Sequence, residues 1–405
     1  MESLRYGWRN LWRNVARTLI TVAAAAFSTA ILIASFALMD GLVSHTIANI
    51  TNLDVGEVQA HAPGYLADRS IYRSLADPAA ILAAAKAHGV PAAPRRLADG
   101  LIALGSQSTG ALFWGIDPSR ERAAFTLAQH IAEGAFLPDR RGKQIVLGRQ
   151  LAKTLEAHVG SEVVVVVQAA DGSLGNDLFV VAGILQSADE DIDRAGALMH
   201  ADDFAELFVS GDRVQEIALN SNGRVPLDVL EQLVRTADPR ADVRTWRELL
   251  PTFSDMVTLF DSFIWIFGLV FGLAAGLGVM NTMLMATHER VREFGLVKAL
   301  GGTPGRIVRD VALEALILAS IGVAIGVALG LAGAVYLQRT GIDTGRWAGT
   351  FSIGGVAFDP IWRADITLRG IAIPVVVMLA AAILPSLYPA AIAARLDPVR
   401  AMNRV

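Results

Sequence analysis

The sequence predicts an α-helical membrane protein with four transmembrane helices and a large α/β domain inserted between helices 1 and 2. Composition is the first reason. Of 405 residues, 53% are hydrophobic and 18% charged, with mean hydropathy +0.45; soluble domains carry about 25% charged residues. The second reason is distribution: the apolar residues gather in four charge-free stretches, each long enough for a membrane helix of roughly 20 residues. The third is the long segment between the first two stretches, where short strand-like and helix-like patterns alternate as in an ordinary α/β domain.

The four stretches are Thr18 to Met39, Ser262 to Thr287, Ala315 to Gln338 and Gly370 to Ala394. The first could be read as a cleaved signal peptide, but its apolar run exceeds the roughly 7–15 residues of such a segment. Orientation follows from Lys and Arg near the span ends. Arg5, Arg9, Arg13 and Arg17 precede span one; Arg290, Arg292, Lys298, Arg306 and Arg309 lie between spans two and three; Arg395, Arg400 and Arg404 follow span four. Both termini and the middle loop are therefore expected in the cytoplasm, and the large domain outside it. The expected divisions are 1–43 (an N-terminal amphipathic helix and span one), 44–253 (the outer domain) and 254–405 (spans two to four).

Within the outer domain, Glu57 to His61 alternates as a strand, and Asp77-Pro78 opens a helix with an N-cap and a first-turn proline. Strands are expected at Ala111–Gly115, Gln144–Leu147, Val163–Gln168, Leu178–Ile184 and Val214–Asn220, and helices at Gln150–His158, Ala201–Phe208 and Pro226–Thr236. The strand-rich stretch 131–190 reads as an inserted subdomain, with a turn made by Gly172, Gly175 and Asn176. Catalytic signals are sparse. The chain has no Cys, which excludes disulfides, thiolate metal sites and a Cys nucleophile. His45, His61, His88, His130, His158 and His200 show no metal-ligand spacing. The acidic run Asp189, Glu190, Asp191, Asp193 lacks the alternation and glycine of a calcium loop, so a solvated loop is expected. Formal net charge of -4 gives no basic excess for nucleic acid.

The most informative stretch runs from Asn281 to Gly305, NTMLMATHERVREFGLVKALGGTPG. Span two is expected to continue past His288 into a charged helix with Glu289 and Glu293 on one face. Phe294, Leu296, Val297 and Leu300 then form an apolar patch closed by Gly301-Gly302, and Thr303-Pro304 starts the next helix. Pattern alone leaves two readings open: a helix that transmits force when a soluble partner grips it, or one that only rests at headgroup level.

This segment resembles the signature of the MacB/FtsX/LolC–LolE permease superfamily. The matching residues are Asn281, Met283, Glu289, Arg290, Arg292, Glu293, Gly295, Lys298, Ala299, Gly301 and Glu314. The start, Trp8-Arg9-Asn10-Leu11-Trp12-Arg13-Asn14 with Arg17-Thr18-Leu19, is similar to the family's entry into span one. The end, Pro389-Ala390-Ala391 with Asp397-Pro398-Val399-Arg400-Ala401, is similar to its C-terminal signature. Ile145 to Gly148, Leu151-Ala152, Gly160 and Phe179 to Ile184 are similar to its periplasmic core. In length and layout the chain most resembles the lipoprotein-releasing LolC and LolE subunits, although its final outer segment, Thr340 to Thr367, is more elaborate than expected of them.

The resemblance implies a multi-pass permease of an ABC transporter in a bacterial inner membrane, with a MacB-like periplasmic domain. Its coupling helix, near 289–301, would comprise Glu289, Arg290, Arg292, Glu293, Gly295, Lys298, Ala299, Leu300, Gly301 and Gly302. The chain carries no Gly-x-x-x-x-Gly-Lys-Ser/Thr phosphate loop. ATP and Mg are thus expected on a partner ABC ATPase, present as two copies, with no cofactor in this chain. A second permease subunit, the same chain or a paralogue, and the lipid membrane are the other expected partners, with a periplasmic carrier or adaptor protein beside them. The spans show no ring of charges suited to a polar pore. That favours mechanotransmission acting on a lipoprotein or another hydrophobic substrate at the outer leaflet. Wall residues carried over by position are Phe36, Met39, Val43, Leu259, Phe263 and Ile264. Gly268, Gly272 and Gly276 on span two, and Gly322, Gly326 and Gly330 on span three, form small-residue packing stripes. Pro374, Pro385 and Pro389 are expected to kink span four. Two alternatives stand beside this reading: an FtsX-like regulator of a periplasmic enzyme, and a membrane-anchored receptor without an ATPase.

Overall fold

Long uncharged stretches form the longest helices because in hydrocarbon each backbone polar group must be satisfied within its own segment. The computed structural model describes residues 15–186, 190–348, 352–353, 356–357 and 360–395. The motifs Trp8 to Asn14 and Asp397 to Ala401 lie outside the described residues. Among the described residues, five helices organise the membrane part: α1 (Val15–Ile50), α2 (Pro251–Glu289), α3 (Val291–Ala299), α4 (Pro304–Thr340) and α5 (Leu368–Ala394). Of these, α1, α2, α4 and α5 are long and apolar enough to cross a membrane.

Two of them outrun their apolar stretches. Helix α1 passes Met39 and Asp40 to Ile50, then widens into a π-type turn at Thr51–Val55. Helix α2 begins at Pro251, eleven residues before the charge-free stretch at Ser262. Hydropathy marks what faces lipid, whereas Asp40, Ser44 and Thr46 are helix-compatible residues that hydropathy does not count.

The chain divides into two compact units. One comprises Met1–Ser44, Val257–Gly349 and Pro360–Val405; the other comprises His45–Met256 with Thr350–Asp359. In the membrane unit, the stripe on α4 is packed against α1. A Cβ on Gly322 would meet Ala25 Cβ at 2.7 Å, one on Gly326 would meet Thr29 Cβ at 2.5 Å, and one on Gly330 would meet Ile33 Cβ at 2.9 Å. On α2, Gly276 sits against Ala381 and Pro385 of α5 and Gly272 near Val377 and Ala381, while nothing approaches Gly268 within 4 Å. Pro374, Pro385 and Pro389 all lie inside α5, where each removes a backbone donor. Beyond α4, Ile342–Asp343 pairs with Ile361–Trp362, and Ser352–Ile353 pairs with Val356–Ala357.

Among the described residues, the segment His45–Met256 of the outer unit holds ten strands: β1 (Val58–His61), β2 (Ala92–Leu104), β3 (Gln107–Ile116), β4 (Ile131–Gly134), β5 (Gln144–Leu147), β6 (Glu162–Gln168), β7 (Leu174–Leu185), β8 (Gly196–His200), β9 (Glu216–Leu219) and β10 (Asp242–Thr245). They form one hydrogen-bonded sheet in the order β10-β1-β9-β2-β3-β8-β5-β7-β4, with β6 bridging β2 and β7. That bridge closes a circuit of pairings through β6, β2, β3, β8, β5 and β7. Alternation along β6 puts Val163, Val165 and Val167 into a core with Ile102, Phe113, Phe179 and Met199. The stretch 131–190 thus shares its hydrogen bonds with β2 and β8, which lie outside it in sequence. A separate core under β1, β9 and β10 packs Val58, Ile217 and Val243 against Ile81 and Leu230 of the helices Pro78–Ala87 and Leu227–Ala237.

Local signals placed several of these elements. Asp77 accepts from Ala80 N at 2.9 Å and Pro78 fills the first turn. Two expectations are corrected. The β6–β7 turn uses Gly172, at φ +86, while Gly175 and Asn176 lie inside β7. Gly175 is needed there for close approach, since a Cβ would meet the Leu207 carbonyl oxygen at 2.6 Å. The acidic run is a short helix, Glu190–Ala195, in place of a solvated loop, because Ile192 is buried and pins it. Asp189 lies outside the described residues.

Candidate functional site

The sequence between α2 and α4 folds as a helix held on three sides. Helix α2 stops at Glu289, and Arg290 adopts φ -109 and ψ 14, which breaks the axis. The expected shared face of Glu289 and Glu293 is therefore lost, since the two residues sit on different helices. Helix α3 ends in a Schellman motif: Gly302 N donates to Val297 O at 2.8 Å and Gly301 N to Lys298 O at 3.0 Å. Gly301 sits at φ +88, where an L side chain is strained. Thr303 is extended before Pro304 and makes no side-chain cap.

Arg290 is the hinge residue of this arrangement. Its Nε lies 3.1 Å from Glu293 Oε2 and its Nη1 2.7 Å from Glu314 Oε2 on α4. The guanidinium also covers the Phe294 ring at 5.1 Å. Arg290 and Glu314 are both buried. Phe294 is buried in a cluster with Val279, Met283, Ile307, Val311 and Ala390. Covering a Phe side chain is worth about 1.5–3 kcal/mol. At the far end, Lys298 Nζ donates to Ala394 O at 2.8 Å, at the C-terminus of α5 where a cation complements the helix dipole. Helix α3 is thus bolted to α4 and α5.

The expected apolar patch splits between two faces. Phe294 points inward, while Leu296, Val297 and Leu300 are exposed, Leu300 to 80%. Arg292 and Ala299 share the exposed side, and Gly295 is buried. Arg290, expected among the coupling residues, forms its ion pairs within the chain, to Glu293 and Glu314. Its partner Glu314 stands 24 residues away on α4; its place in the family signature was the one sequence signal for it.

The six carried-over wall residues, expected across two subunits, differ in burial within this chain. Phe36 and Ile264 are buried in a cluster with Leu32, Val323 and Met378, and Met39 packs against it. Val43 is half-buried. Leu259 and Phe263 are exposed on α2, alongside Trp265, Ile266 and Phe267. The outer domain offers no metal centre: among the described residues no three His, Asp or Glu side chains gather to hold an ion.

Comparisons with known proteins bear on both halves of the chain. Residues 18–245 match the MacB-like periplasmic core domain, and residues 265–398 match the FtsX-like permease C-terminal domain. The lipoprotein-releasing system transmembrane protein LolC of Neisseria meningitidis is 22% identical over 95% of this chain and 94% of its own length. The macrolide export ATP-binding/permease protein MacB of Salmonella paratyphi A is 23% identical over 100% of this chain, which spans 60% of that protein. The periplasmic region of MacB from Actinobacillus actinomycetemcomitans aligns with a TM-score of 0.37 at 15% identity, over 50% of this chain and 94% of that one.

Proposed function

The chain belongs to the MacB/FtsX family of ABC transporter permeases, and from that premise we propose that it couples a partner ATPase to a hydrophobic substrate at the outer leaflet of a bacterial inner membrane. The observation that carries this reading is the anchored helix α3. Its inner face is fixed by Arg290, Phe294 and Lys298, and its outer face presents Leu296, Val297 and Leu300 unburied. An apolar patch on a rigid mount is a docking surface through which a displacement passes to two spans.

In this reading α3 faces the cytoplasm, both termini lie there, and the outer domain is periplasmic. The ATPase, in two copies, binds the exposed face of α3 and closes on ATP. The displacement travels through α2 and α4, and α1 and α2 carry it into the outer domain. Two permease subunits, as identical chains or paralogues, make the working pair. The LolC relative is named for lipoprotein release and the MacB relative for macrolide export; alignment to LolC over nearly the whole of both chains favours a lipoprotein. Leu259 and Phe263, exposed on α2, are suited to line its path, whereas Phe36 and Ile264 are occupied inside the bundle.

The test is co-expression with an ABC ATPase from the same operon and purification in lipid nanodiscs. Wild type is expected to retain the ATPase, and Leu296→Glu with Leu300→Glu to lose it while the outer domain stays folded. If wild type retains no ATPase, the coupling reading fails and the receptor alternative takes its place.

A further inference from the structure

A cavity of 480 Å³ opens in the outer domain, and the proposed coupling does not use it. Its size falls within the roughly 300–1,000 Å³ of small-molecule sites. Sheet residues His61, Trp114 and Glu216 line one side. Asp54-Val55 and Glu248 to Pro251, the segments by which the chain enters and leaves the domain, line another.

Two buried ring nitrogens in these walls stand without a partner. His61 is 1% exposed and Trp114 8%, yet His61 Nδ1 and Trp114 Nε1 find no hydrogen bond among the described residues. Such atoms are uncommon in folded proteins, where buried polar groups are paired. Their roles can be assigned. His61 Nε2 lies 2.9 Å from Gln59 Oε1, which fixes the proton on Nε2 when the amide oxygen faces it. Burial pushes the imidazole below its ordinary value, so the ring is neutral and Nδ1 offers a lone pair. Trp114 Nε1 can only donate. A ligand satisfying both presents one donor and one acceptor.

Charge narrows the class. The lining carries Asp54, Asp191, Glu216 and Glu248 against Arg69. Glu216 is held by Arg95 at 2.8 Å, and Glu248 accepts from Thr245 N at 3.1 Å and lies 3.6 Å from Arg244, while Asp191 is exposed. Tyr65, itself buried, stacks on His61 with centroids 5.5 Å apart and holds the imidazole in place. Leu97, Leu112, Leu249 and Leu250 supply an apolar wall.

We propose that this cavity binds a small amphiphilic amine. Its ammonium donates to His61 Nδ1 beside the carboxylates, a neutral oxygen accepts from Trp114 Nε1, and its apolar body packs on the leucines. Because the walls include both connecting segments, occupancy alters the two points where the domain joins α1 and α2. The site stands whether or not an ATPase docks on α3.

The test uses the full chain in nanodiscs and calorimetric titration with 1-amino-2-octanol, empty nanodiscs providing the partition background. Saturable one-site binding is expected, with octanoate and 2-octanol giving partition only. Trp114→Phe should weaken the amine about fivefold, as loss of one hydrogen bond does. Melting without ligand should fall modestly, because Trp114 also covers the Arg95 guanidinium at 4.9 Å and fills core volume that Phe leaves, so affinities are compared at a temperature where both proteins are folded. Asp191→Asn, at an exposed position, should also weaken binding and reduce its salt dependence. Absence of saturable uptake, equal binding of octanoate or 2-octanol, or indifference to both substitutions would overturn the assignment.

Discussion

Arg290 Nη1 and Glu314 Oε2 lie 2.7 Å apart across 24 residues of sequence, joining the break after α2 to the buried side of α4. The pair is nearly solvent-free, so its members depend on each other. Removing one partner of a buried pair costs about 3–5 kcal/mol, whereas replacing both by apolar groups is often neutral. Arg290→Ala and Glu314→Leu should each lower the melting temperature in nanodiscs. Arg290→Met combined with Glu314→Leu should recover most of that loss while coupling falls, because Glu293 loses its partner too. Equal stability of the single variants and wild type would show the pair to be incidental.

The stripe on α4 predicts opposite outcomes at neighbouring glycines. A Cβ on Gly326 would meet Ala26 O at 2.6 Å and Thr29 Cβ at 2.5 Å, whereas a Cβ on Gly333 meets nothing within 4 Å. Overpacking costs about 1–3 kcal/mol, and Ala gains about 1 kcal/mol of helix propensity over Gly. Gly326→Ala should therefore destabilise the bundle and Gly333→Ala leave it unchanged or slightly firmer. Thermal unfolding of both variants in the same lipid decides it.

Much of this was legible before the fold was known, and the remainder was hidden for physical reasons. Four charge-free stretches announced the spans, and Asp77-Pro78 announced a helix start. Strand β2 was invisible because Pro94, Arg95, Arg96, Asp99 and Gly100 interrupt any alternation; the strand exists because Arg95 is buried and paired. The facing of α3 was equally hidden. Four apolar residues in seven positions looked like one patch, but residues two apart on a helix face apart, so Phe294 turns inward while Leu296 and Leu300 turn outward.

His61 makes the outer domain sensitive to acid. Burial lowers its folded-state pKa below the ordinary 6.5, outweighing the opposing pull of Glu216 and Asp242. Below about pH 6.5 the unfolded chain binds the proton and the folded chain resists it, so stability falls as pH falls through that value. The slope contributed by one such group approaches about 1.4 kcal/mol per pH unit at most. His61→Phe keeps a ring against Tyr65 and should flatten this part of the stability profile between pH 7.5 and 5.5. The readout is the difference in slope from wild type, so any constant cost of losing the Gln59 bond drops out. Identical slopes would assign the acid sensitivity to other groups.

Arg95 ties strand β2 to β9 and to the helix Pro118–Ala124. It faces Glu216 directly across the β2–β9 pairing, at 2.8 Å, and reaches Glu121 with two nitrogens at 2.6 and 3.3 Å. Trp114 and Phe125 cover the guanidinium at 4.9 and 4.5 Å. Both acids and the base are buried, so Arg95→Met strands two carboxylates away from water and should cost about 3–5 kcal/mol. Arg95→Lys tests the geometry separately from the charge. A lysine keeps one cation but cannot form the forked contact with Glu121 or lie flat between two rings. It should recover only part of the loss, leaving a deficit of about 1.5–3 kcal/mol for a missing charge-assisted hydrogen bond. Chemical denaturation followed by circular dichroism of the full chain in nanodiscs measures all three proteins on one scale. Full rescue by lysine would mean that charge alone matters here, and the planar fork would then have no part in holding β2 to β9.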